Sequence, residues 1–208
     1  MSVRHRLLSA HDRYGWRAAA VATHKLLFQW PRTRSKLVEL KLGLLLECNF
    51  GHSVRFGKGV FVGVPGGKLG IGRGSYIGDR CHFEISANPK AELLLGKHCY
   101  LAHDVHVTAM QAIRIGDDVQ IAEFVSLRDT THNYRSQHLD VYQQGDTRGT
   151  ITIGNDVWLG KGSLVLGSVA GTSIGRGAVI GAHSVVKSSI PEYAIAVGAP
   201  ARVVGYRE

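Results

Sequence analysis

Eleven histidines are scattered through this chain of 208 residues, and His132 stands in the segment best suited to proton chemistry. That segment, Arg128-Asp129-Thr130-Thr131-His132-Asn133-Tyr134, opens a polar and aromatic stretch over 128–150 that has none of the regularity found on either side. An imidazole titrating near neutrality can take the proton of a hydroxyl and later return it to a leaving group. One base then suffices, with no covalent enzyme intermediate. His138, in the same stretch, is the alternative base. No serine, histidine and acid fall at a spacing that argues for a nucleophilic triad. Cys81 and Cys99 look like small structural residues rather than nucleophiles. Together with Cys48 they form no CxxC pair, and three cysteines cannot all pair within one chain; this points to a reducing compartment.

The elements that must hold such a base are written in a period of six. Aliphatic or aromatic residues recur, usually with a small residue after them: Phe56-Gly, Val62-Gly, Ile71-Gly, Ile77-Gly, Phe83, Leu95-Gly, Leu101-Ala, Val107, Ile115-Gly, Ile121-Ala, Leu127, Ile153-Gly, Leu159-Gly, Val165, Ile174-Gly, Ile180-Gly and Val186. A period of six matches neither a helix nor simple alternation, and it indicates a parallel β-helix. Each unit is a short strand and a corner, three units close a triangular coil, and about six coils stack at the usual strand spacing of about 4.8 Å. The apolar residue points inward; its neighbour is small because the chain bends there against the next coil. The period breaks at 84–94, slips at 108–114 and fails over 128–150. An insertion of that length on a rigid scaffold is usually functional.

Residues 1–50 have a different texture. Leu7, Leu8, Tyr14, Ala18, Val21, Leu26, Leu27 and Trp30 form a loose helical stripe that Pro31 should end, and a Leu-rich helix or strand follows over 35–46. This part carries nine Lys or Arg against three acidic residues, so it holds six of the nine net positive charges. The expected organisation is a basic helical region over 1–50 and a β-helix domain over 51–208, with a protruding loop at 128–150 and a short C-terminal tail. The basic arm reads either as a solvated helical face or as a peripheral contact with an anionic membrane surface. Nothing in the chain interleaves aromatics with a nucleic-acid fold signature. The 26 glycines lack a triplet rule, which excludes collagen, and no apolar run approaches the length of a spanning helix. The first ten residues lack the apolar core and cleavage site of a secretory signal.

Residues 54–205 resemble the hexapeptide-repeat acyltransferases, in the branch of maltose, galactoside and polysaccharide O-acetyltransferases. The resemblance is carried by Ile151-Thr-Ile-Gly-Asn-Asp-Val-Trp-Leu-Gly160, by Ile180-Gly-Ala-His-Ser-Val-Val, and by Ile190-Pro-Glu-Tyr-Ala-Ile-Ala-Val-Gly-Ala-Pro-Ala-Arg202-Val-Val. It implies a left-handed β-helix, acetyl-CoA as co-substrate with no metal, and homotrimers whose donor site lies between adjacent prisms. His132 falls where the family keeps its catalytic histidine. Asp129 is a candidate for orienting the ring, with a backbone carbonyl as an equal alternative. The Lys161 amide, after Gly160, takes the family's oxyanion position. Trp158 is similar to the wall beside the acetyl or pantetheine group, and Ala182, Lys187, Ser188 and Arg202 lie where the family binds CoA. The family's Thr-Lys step is Lys187-Ser188 here. A further basic position is Gly205, with Arg207 as a substitute.

Ala102 and Met110 stand where small-sugar enzymes of the family carry polar residues. The resemblance therefore favours a larger acceptor, a glycan or polysaccharide precursor, acetylated on a sugar hydroxyl in the cytoplasm or at the inner membrane face. Alternatives are N-acetylation of an amino sugar, a γ-class carbonic anhydrase-like zinc protein using His98, His103 and His132, and a non-catalytic β-helix. Against the zinc alternative, the five-apart pair His98/His103 precedes His132, the reverse of that family's order.

Overall fold

The computed structural model describes residues 48–51, 53–63 and 66–208, so the helices expected over 1–47 lie outside the described residues. From Cys48 onward the chain winds as a parallel β-solenoid with three flat faces. Face A stacks Cys48–Phe50, Lys68–Ile71, Glu92–Leu95, Ala112–Ile115, Thr150–Ile153 and Thr172–Ile174. Face B stacks Arg55–Phe56, Tyr76–Ile77, Tyr100–Leu101, Gln120–Ile121, Trp158–Leu159, Val179–Ile180 and Ala194–Gly198. Face C stacks Phe61–Gly63, His82–Ile85, His106–Ala109, Ser126–Arg128, Leu164–Leu166 and Val185–Val186. Each coil runs A, B, C, and Cys48–Phe50 already pairs with Lys68–Ile71 as the first rung.

The sixfold repeat is the physical cause. Ile71, Leu95, Ile115, Ile153 and Ile174 are register partners up face A. Ile77, Leu101, Ile121, Leu159 and Ile180 form the matching ladder on face B, and Val62, Phe83, Val107, Leu127, Val165 and Val186 the one on face C. All are buried. Each large aliphatic contributes about 1.5–3 kcal/mol relative to exposure, spread evenly along the stack. Corners are tied from coil to coil by side chains: the Lys58 and Lys97 amides donate to Asp79 and Asp117 at 2.7 Å, and the Asp117 amide to Asn155 at 2.9 Å.

The breaks in the period have three outcomes. Residues 86–91 form a loop between Ile85 and Glu92; Met110–Gln111 make a tight turn between two strands; and 129–149 leave the prism altogether. At the far end, Ala201–Tyr206 turns back antiparallel on Ala194–Gly198, so the Gly-Ala-Pro-Ala-Arg segment is a hairpin turn that closes face B.

Candidate active site

His132 ends a short strand, Thr130–His132, that pairs antiparallel with Asp146–Arg148. In this register His132 faces Asp146, and the ring Nδ1 lies 2.6 Å from the Asp146 carboxylate. The imidazole is otherwise open to solvent, with 73% of its side chain exposed. A carboxylate on Nδ1 fixes the tautomer with the proton on that nitrogen and leaves Nε2 as the acceptor. That is the geometry of a general base.

The connecting segment is built from hydrogen bonds rather than apolar packing. Asn133 donates its amide to Gly145 O and its Nδ2 to Gln144 O, both at 3.0 Å, while its Oδ1 accepts from the Thr147 hydroxyl at 2.6 Å. The Gln144 side chain takes the Ser136 amide and donates to Ser136 O and Leu139 O, so one carboxamide folds the loop around itself. A 3₁₀ turn over Val141–Gln144 completes the segment. His138 sits on this outer part, exposed, with its amide on the Ser136 hydroxyl. Tyr134, Leu139, Val141 and Tyr142 are also exposed there.

Asp129 has another task. It is fully buried at the root of the hairpin, and its two carboxylate oxygens accept the Met110 and Gln111 amides at 2.7 Å each. Burial pushes its pKa up, and these backbone donors oppose that shift. Of the two candidates for orienting the His132 ring, Asp129 or a backbone carbonyl, neither meets its Nδ1 among the described residues; Asp146 does. Asp146 escaped the sequence reading because thirteen residues separate it from His132. The signal present was the match of Thr130-Thr131-His132 with Asp146-Thr147-Arg148 as strands of one hairpin. The hairpin returns at Gly149, whose amide donates to Asp129 O at 2.8 Å. A Cβ on Gly149 would lie 2.0 Å from Ser168 O, so only glycine fits where the chain re-enters the coil.

Of the other candidate residues, Gly160, Lys161 and Ala182 lie at the corner between faces B and C, Trp158 on face B beside it, and Lys187 and Ser188 at the opposite edge of face C. Trp158 points outward from face B, 53% exposed, in register between Gln120 and Val179. Gly160 is buried, and a Cβ there would meet the Ala182 amide nitrogen at 2.7 Å. No acceptor among the described residues takes the Lys161 amide, and the corner residue one coil above, Ala182, carries none on its side chain. The Lys161 ammonium lies 3.1 Å from Glu123. Lys187 and Ser188 are exposed at the C-to-A edge of the coil that holds Ala182, and Arg202 is exposed on the strand that closes face B. Arg202 donates to Ala201 O at 3.0 Å. Arg207 is drawn away from this group: it pairs with Asp156 and donates to Gly177 O, both at 2.9 Å, at the corner between faces A and B. Within one chain the root of the His132 hairpin is thus at the C-to-A edge, while Lys161 is at the B-to-C edge.

Cys81 and Cys99 are buried in the coils, and burial pushes their thiols up to about 11. Such thiols are poor nucleophiles. His98 and His103 stand on different corners and face Asp118 and Asp104, at 3.4 and 2.8 Å. They do not converge with His132, and among the described residues no three His, Cys, Asp or Glu side chains come together as metal ligands.

No family model matches the chain. A probable acetyltransferase of Mycobacterium tuberculosis is 39% identical over 141 residues, which cover 68% of this chain and 45% of that protein. WbbJ of Escherichia coli, provisionally named a lipopolysaccharide biosynthesis O-acetyl transferase, is 38% identical over 109 residues, covering 48% of this chain and 53% of WbbJ. The chain therefore spans about half the length of these curated relatives. Among solved structures, the N-acyltransferase AntD of Bacillus cereus, in complex with dTDP and 3-hydroxybutyryl-CoA, superposes with a TM-score of 0.71 at 19% identity, covering 86% of this chain and 92% of AntD. The structural match shows a shared fold, and the sequence matches carry the relationship further. In sequence the chain is related to acetyltransferases, and it shares the fold of the hexapeptide-repeat acetyltransferases.

Proposed function

We propose that this protein transfers an acetyl group from acetyl-CoA to a sugar hydroxyl of a glycan or polysaccharide precursor, with His132 as general base. The observation that carries the reading is the 2.6 Å contact between His132 Nδ1 and Asp146 on facing strands. Nε2 takes the hydroxyl proton as the alkoxide oxygen attacks the thioester carbonyl carbon. The Lys161 N–H donates to the oxyanion that forms, and Asp146 stabilises the imidazolium. The C–S bond then breaks, and the imidazolium returns its proton to the CoA thiolate. Trp158 walls the pantetheine arm, while Ala182, Lys187, Ser188 and Arg202 receive the rest of the donor, the two cations meeting phosphate as point charges. WbbJ, named for O-acetyl transfer, supports a hydroxyl acceptor; AntD, an N-acyltransferase, supports the second reading, an amino sugar.

Because base and oxyanion amide lie at opposite edges of face C, the site is completed between copies of the chain in a homotrimer. The reading implies a cytoplasmic protein, where acetyl-CoA is made, with residues 1–50 as the part that approaches the membrane. The test is acetyl transfer from acetyl-CoA to isolated glycans and nucleotide sugars. His132→Ala is expected to lower the rate by about 10²–10⁴-fold. An unchanged rate, or no binding of acetyl-CoA by the wild type, refutes the reading. Mixing His132→Ala chains with Trp158→Ala chains should restore part of the activity, measured after subunit exchange; a mixture as inactive as its components rules out a shared site.

A further inference from the structure

Phe124 is a bulky, exposed side chain at a backbone position that disfavours one. It lies at the corner between Gln120–Ile121 and Ser126–Arg128, with φ at 61°, the left-handed region that a bulky side chain rarely holds. Its ring is 53% exposed, so burial does not offset the conformational cost. The equivalent corner positions of other coils are Gly59, Arg80, Asp104, Gly162 and His183, all at positive φ. The backbone there dictates a left-handed residue, and no other coil puts a Phe, Tyr or Trp at this position.

The surroundings of the ring are ordered. His103 meets it edge-on, with centroids 5.3 Å apart and planes at 88°. The Lys161 ammonium stands 5.6 Å from the ring centroid and is held by Glu123 at 3.1 Å. An exposed aromatic surface thus lies beside a fixed cation and carboxylate, one coil below the Lys161 amide. We infer that Phe124, with the Lys161–Glu123 pair, forms a subsite for a pyranose ring of the acceptor. The apolar C–H face of the sugar stacks on the phenyl ring, while the ammonium and carboxylate meet its hydroxyls. This inference rests on the acetyl-transfer reading above. In that reading the donor runs from the Lys161 corner upward past Ala182 toward Arg202. The attacking oxygen must reach the carbonyl carbon from a side the pantetheine arm leaves open, and the coil carrying Phe124 is on that side.

The experiment uses full-length wild type, Phe124→Gly, Phe124→Leu and Phe124→Tyr. It measures transfer from labelled acetyl-CoA to methyl α-glucopyranoside, methyl β-galactopyranoside and maltotriose, together with acetyl-CoA affinity and Tm. The Gly and Leu variants should raise the pyranoside KM about tenfold, the size of one aromatic contact, while Tyr stays close to wild type. Acetyl-CoA affinity should stay unchanged, and the Gly variant should melt at or above the wild-type temperature because glycine accepts the left-handed backbone. Unchanged pyranoside KM in the Gly and Leu variants overturns the subsite. So does a Gly variant whose Tm and acetyl-CoA affinity fall together, which would mark a scaffold role. Wild type that binds acetyl-CoA yet acetylates none of the three glycosides also overturns it, and leaves the donor reading standing. Loss of that reading shows separately, as failure to bind acetyl-CoA.

Discussion

The coils and the hairpin over 129–149 solve the same problem, holding a short chain segment still, by opposite means. In the coils, order comes from apolar ladders with identical environments repeated every turn, so each residue is fixed by the rungs above and below. In the hairpin almost nothing is buried. Order comes from the Gln144 carboxamide, which serves three backbone groups at once, and from the Asn133 carboxamide, which bonds Gln144 O and the Thr147 hydroxyl. The difference teaches where chemistry can be placed: a ladder residue cannot be exposed without loss of packing, whereas a hydrogen-bonded hairpin can hold an open imidazole in a set orientation.

Substitutions in the two regions should therefore fail differently. Ile121→Ala, in the centre of the face B ladder, should destabilise the fold by about 2–5 kcal/mol, read from chemical denaturation. A loss under about 1 kcal/mol would mean that the ladders do not carry the stability. In the hairpin, Asp146→Asn should slow transfer by about ten- to a hundredfold, the value of one charge-assisted hydrogen bond, with Tm unmoved. A shift in Tm with normal kcat would make Asp146 a structural residue. The smallest effect concerns a corner. Arg80 holds the Asp104 carboxyl down at about 2, with His103 helping. Folding favours the ionised form, so this contribution is present above the ordinary value of 3.8 and is lost as pH falls through about 2. Arg80→Ala should move the Asp104 titration upward in NMR; no movement would show the pair to be absent in solution.

The sixfold period made the coils legible because one physical constraint repeats; each apolar position named from the repeat is buried, apart from half-buried Phe56. His132 stood out in the sequence as a candidate base in an irregular stretch. Its partner did not: Asp129 is close in sequence but bound to the Met110–Gln111 turn, and Asp146 becomes a neighbour only once the hairpin closes. Phe124 gave no signal either, since Ile-Ala-Glu-Phe-Val fits the repeat and only the backbone angle sets it apart.

The hairpin departs at Asp129 and re-enters at Gly149 through backbone atoms 2.8 Å apart. A segment that begins and ends at the same point is a cassette. It can be lengthened, shortened or transplanted between prisms without disturbing the coil that carries it, provided the two gateposts are kept. If the proposed function holds, selection can try new acceptors by changing the outer part of the segment, around 136–142, while His132 and Asp146 at its base stand untouched.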